Sequence, residues 1–72
     1  MKEQRIYMVE LDCETYAVER FFYASEKDAF RKAEMLAESH GMTKNLQSYG
    51  LLDSWQNTRN DYVRLSEEIL TM

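Results

Sequence analysis

The sequence predicts an α+β fold, a small antiparallel sheet with one main helix, residues 26–40, packed on one face. Three observations carry that expectation. Residues 25–41 form a capped amphipathic stretch. Two alternating, strand-like runs precede it, close enough to pair as a hairpin. After it, a polar interruption divides two further apolar runs. The chain is 72 residues long, which is one domain, residues 1–72. A chain this short buries only about 60% of its unfolded surface, so its core is small.

Residues 5–11 read as the first strand. Tyr7, Val9 and Leu11 share one face, and Ile6, Met8 and Glu10 the other. Asp12, Cys13, Glu14 and Thr15 suit a turn. Residues 16–24 read as a second strand rich in β-formers, with Tyr16, Val18, Phe21, Phe22 and Tyr23. The hairpin is thus apolar on both sides, and one helix covers only one of them. Either the other side is a contact surface, or the C-terminal third folds over it.

The helix has its signals in place. Ser25 is a good N-cap, with Asp28 in the capping-box position. Ala29, Phe30, Ala33, Leu36, Ala37 and His40 form one stripe. Gly41 can adopt the left-handed conformation that ends a helix.

The C-terminal third supports two readings. In the preferred one, β-β-α-β-β, residues 46–56 are a strand, 57–61 a turn and 62–69 a returning strand. The residues at 57–61, Asn-Thr-Arg-Asn-Asp, are all poor or indifferent helix formers. In the alternative, β-β-α-α, Leu51, Trp55, Thr58, Tyr62, Leu65, Ile69 and Met72 follow the 4-3 spacing of a helical seam. A strand near 46–53 followed by a helix from about Asp61 lies between the two.

The charge balance, 9 basic against 13 acidic residues, gives a net −4. That argues against direct nucleic-acid binding, which needs clustered Lys and Arg. It suits a solvated surface, or contact with a basic surface that normally holds nucleic acid. No apolar run reaches the ~18 residues of a membrane span. With one cysteine there is no internal disulfide, and the expected location is the cytoplasm.

The chemistry-bearing residues are sparse. His40 is the only histidine and reads as a helix-end cap. Cys13 lies between two acids, which disfavour a thiolate. The two glycines are isolated, so no phosphate loop is present, and no metal-ligand spacing or catalytic triad appears. The expectation is therefore a protein that is not an enzyme and holds no cofactor or metal. Contact residues are a better fit to the sequence. Glu10, Asp12 and Glu14 are three acids at the first hairpin tip. Phe21, Tyr23, Tyr49, Trp55 and Tyr62 are aromatics of the kind that dominate interfaces, although Trp55 also suits a core anchor.

The segment from residue 7 to 41 carries a resemblance. A strand, an acidic turn and a second strand ending Phe22-Tyr23-Ala24-Ser25 lead into a helix that begins Glu26-Lys27-Asp28-Ala29 and ends at a glycine. This pattern resembles small phage-encoded inhibitors of bacterial RNA polymerase and covers about half of the chain. The departures are the absence of proline and a longer C-terminal part with Trp55. The resemblance implies a class: short, acidic, non-catalytic host-takeover proteins of phages or mobile elements. Such a protein would bind a host protein in the host cytoplasm, either RNA polymerase or another nucleic-acid-binding or defence protein, and act by occlusion. The alternative is a structural homodimer without an inhibitory role.

Overall fold

The computed structural model describes residues 3–13, 18–47 and 50–71. Their elements are β1 (Glu3–Asp12), β2 (Glu19–Tyr23), α1 (Glu26–Ser39), β3 (Thr43–Lys44), β4 (Asp53–Gln56) and β5 (Tyr62–Thr71). The strands form one antiparallel sheet in the order β2-β1-β5-β4-β3. The fold is α+β, with α1 laid on one face.

The helix forms where its caps place it. Ser25 is extended, and its Oγ accepts from the Asp28 amide at 3.4 Å. At the other end Gly41 takes φ +64. Its amide donates to the Glu38 carbonyl at 3.2 Å, and the Met42 amide donates to the Ala37 carbonyl at 2.8 Å. This is the doubly bonded left-handed cap. His40 fills the cap position, and its Nδ1 lies 2.9 Å from the Leu36 carbonyl. The helix turns Ala29, Ala33 and Ala37 to the sheet, and side chains this small let the two backbones approach closely.

Under the helix lie Val9, Val63 and Leu65, each 0–1% exposed, with Leu11, Cys13, Met42 and Trp55 around them. Register explains the grouping. Val9 pairs with Leu65 and Phe21, and Leu11 with Val63, so these side chains share the helix side. Trp55 pairs with Val63 and meets the Phe30 ring at 5.7 Å between centroids.

Two expectations for the C-terminal third are corrected. Of the single strand expected over 46–56, only Asp53–Gln56 (β4) is strand among the described residues, and a further short strand, β3 at Thr43–Lys44, precedes that span. Gly50 at φ +71 interrupts any extended run there. The helical alternative is also overturned, because 62–71 is strand. Ser66, Glu67, Glu68 and Ile69 favour helix locally, but extending the chain lets them pair with Met8 through Arg5. Tertiary pairing overrides the local preference.

The expected turn at 57–61 is present and built on Asn57. Its Oδ1 accepts from the amides of Arg59 at 2.9 Å and Asp61 at 3.1 Å. Its Nδ2 donates to the His40 carbonyl at 3.0 Å and to Asp61 Oδ2 at 3.1 Å. Asn60 takes φ 65, a conformation asparagine tolerates. One side chain thus shapes the turn and pins it to the helix end.

Candidate functional site

The sheet face opposite the helix has no described element over it. Alternation places Ile6, Met8, Glu10 and Asp12 of β1 there, with Arg20 and Phe22 of β2. From β5 come Tyr62, Arg64, Ser66 and Glu68. The face divides into two zones.

One zone is charged and aromatic. Glu10 has Arg20 as its register partner on one side and Arg64 on the other. Arg20 Nε donates to Glu10 Oε2 at 3.0 Å, and Arg64 Nη1 donates to Oε1 at 2.8 Å. The Arg64 guanidinium lies 4.7 Å from the Tyr62 ring centroid. One carboxylate therefore holds two arginines in fixed positions across three strands, with a tyrosine stacked at the end. Both arginines keep further donors.

The other zone is apolar. Phe22 is 61% exposed and pairs with Met8, which pairs with Ser66. Ile6 is next along β1 on the same side. Leu52, just ahead of β4, is 39% exposed, and its amide donates to the Leu65 carbonyl at 2.8 Å. Ser66 is 9% exposed, and its Oγ has no hydrogen-bond partner among the described residues.

The contact residues proposed from sequence separate into groups. Glu10, Asp12 and Tyr62 come together on the open face, where Asp12 and Tyr62 are register partners. Phe21 and Tyr23 lie on the helix side, half-buried against the core, and Trp55 is inside it at 5% exposure. Glu14 and Tyr49 lie outside the described residues. Glu10 is already ion-paired within the chain, so it organises this face rather than presenting a bare acid.

Sequence reasoning missed Arg20, Arg64 and Phe22 as contact residues. Phe22 was accessible to it, since alternation sets Phe22 opposite Phe21 and Tyr23. The two arginines were not, because their meeting at Glu10 depends on a register across 54 residues for Arg64.

The remaining chemistry is structural. Cys13 is 3% exposed, and burial first, then the Asp61 and Asp12 carboxylates, raise its thiol above the ordinary 9.0. The sequence reading had the sign and Asp12, but not burial or Asp61, the two larger causes, and Glu14 lies outside the described residues. Stability from this group is fully present below the unfolded-state pKa and falls as pH rises past it. Among the described residues, no group of three His, Cys, Asp or Glu side chains could hold a metal ion. Nor is any described helix long and apolar enough to cross a membrane.

Comparison with known proteins found no matching family model, no matching curated protein and no matching solved structure.

Proposed function

We propose that the protein is a non-catalytic protein-binding module that docks through the open sheet face. The observation that carries this reading is the zoned face itself. An apolar patch of exposed Phe22 and Leu52 with half-buried Met8 and Ile6 adjoins a preset Arg20–Glu10–Arg64–Tyr62 row, with no described element over either. Interfaces combine an apolar centre with a polar rim that fixes register. Aromatic and arginine side chains dominate their energetics.

The finer reading is a phage or mobile-element inhibitor that occludes a host nucleic-acid-processing enzyme or defence protein. Its support is the small size, the net −4 and the strand-to-helix resemblance over half the chain. Because Glu10 is already paired, carboxylates with no ion pair among the described residues, such as Asp12 and Glu68, are the ones that would steer a basic host surface.

The test is capture from bacterial lysate at low and raised salt, with wild type beside Phe22→Asp and Leu52→Asp. The expected result is one dominant partner, retained by wild type and lost by both variants. Equal capture by all three, or no partner at any salt, removes the reading. Light scattering identifies a second copy of this chain as the occupant if the protein is dimeric and Phe22→Asp makes it monomeric.

A further inference from the structure

A second surface lies along the outer edge of β2, the strand whose Arg20 and Phe22 side chains border the open face. The sheet ends there. β2 pairs with β1 on one side and with no described strand on the other. The opposite edge, β3, is only two residues long, so β2 is the longer template for an added strand. Its sequence, Glu-Arg-Phe-Phe-Tyr, has no proline or bulge to blunt it.

A groove runs between this edge and α1. It is a shallow, solvent-open groove of about 230 Å³ lined by Tyr23 at the end of β2 and by Asp28, Arg31, Lys32 and Met35 of α1. Met35 is 52% exposed and gives it an apolar wall. Lys32 Nζ sits 4.6 Å from the Phe21 ring centroid, directly beside the edge strand.

The charges around this groove are unlike those elsewhere. Arg5, Arg20, Lys44, Arg59 and Arg64 each pair with a carboxylate. The other described cations, Lys27, Arg31 and Lys32, have no ion pair among the described residues. All three lie in the first half of α1. Two of the three, Arg31 and Lys32, line the groove beside the β2 edge.

We infer that the β2 edge and the Arg31–Lys32 side of α1 together bind an extended acidic peptide segment of another protein. The segment adds to the sheet as a sixth strand. Its backbone groups pair with β2, and the edge offers alternating donors and acceptors that only another peptide chain matches. Alternate side chains then enter the groove. An acid there meets Arg31 and Lys32, an apolar residue meets Met35, and Asp28 selects against a second acid at its end. A second copy of this chain fits poorly. Pairing β2 with itself about Phe21 would bring Lys32 against its own counterpart. This inference does not depend on the open face, and Arg31→Glu should leave lysate capture through Phe22 and Leu52 unchanged.

The test uses a fluorescein-labelled octapeptide of alternating Glu and Val, its Lys–Val counterpart, and a short oligo-dT, read by anisotropy on the full chain. The Glu–Val peptide should bind, and more weakly as salt rises. It should also slow hydrogen exchange at the amides of Glu19–Tyr23. Arg31→Glu combined with Lys32→Glu should weaken it about tenfold or more. Arg31→Glu alone, at an exposed position, keeps the test valid if the double variant loses its circular dichroism. The inference is overturned by equal binding of the Lys–Val peptide or oligo-dT, by absent Glu–Val binding, or by binding without protection in β2.

Discussion

The two faces of this sheet are made by the same strands and even by adjacent residues, yet they are built differently. On the helix side, Val9, Val63 and Leu65 are 0–1% exposed. One step along, Met8, Arg64 and Ser66 point the other way. The helix side stabilises the fold by removing apolar area from water, at roughly 25 cal/mol per Å². The open side contributes through Glu10 and its two arginines, which are 55% and 40% exposed in their side chains. Exposed pairs of this kind are worth at most about 1 kcal/mol each. Folding therefore draws mainly on one face, and the other is available for contact with comparatively small cost to stability.

The strongest way to break this comparison is at Trp55. Trp55→Ala empties the space beside Phe30 and Val63 and should cost about 3–5 kcal/mol in urea unfolding. A cost under about 1 kcal/mol would mean that the helix side is not where the stability lies. Asn57→Ala comes next. It removes the bonds to the His40 carbonyl, to Asp61 and to two turn amides. The expected loss is about 1–3 kcal/mol, with faster hydrogen exchange at the helix end and the turn together. Faster exchange in only one of them would show that the link between them carries no energy. The smallest effect is expected on the open face. Phe22→Ser should shift stability by no more than about 0.5 kcal/mol while abolishing capture of a partner. A large drop in melting temperature would place Phe22 in the folding core after all.

Much of the helix side was legible from sequence, because caps and alternation are local signals. Ser25, Gly41, and the shared face of Tyr7, Val9 and Leu11 announced themselves. The turn at Asn57 did so too, since asparagine and aspartate compete with helix for backbone hydrogen bonds. What remained hidden depended on register. Ser66 through Ile69 have helical preferences, and only the distant β1 strand makes them extended. Alternation shows that Phe21 and Phe22 point to opposite sides, but which of the two faces the helix depends on how β2 aligns with β1. That alignment passes through a connection whose geometry residue types do not specify. The contact residues chosen by type alone therefore divided between core and surface.

The centre of the sheet has a consequence for how the protein is made. Glu3 lies across from Thr71, and β1 and β5 pair along their full lengths. The earliest and latest of the described strands to leave the ribosome are thus immediate neighbours. Until β5 emerges, β1, β2 and α1 lack the strand that supplies Leu65 and Val63, so the nascent chain has no finished core to settle into. Topologies closed by such distant partners fold slowly, on the order of milliseconds to seconds. A chain cut short before its final strand should accordingly be cleared by proteases rather than accumulate as a smaller folded form.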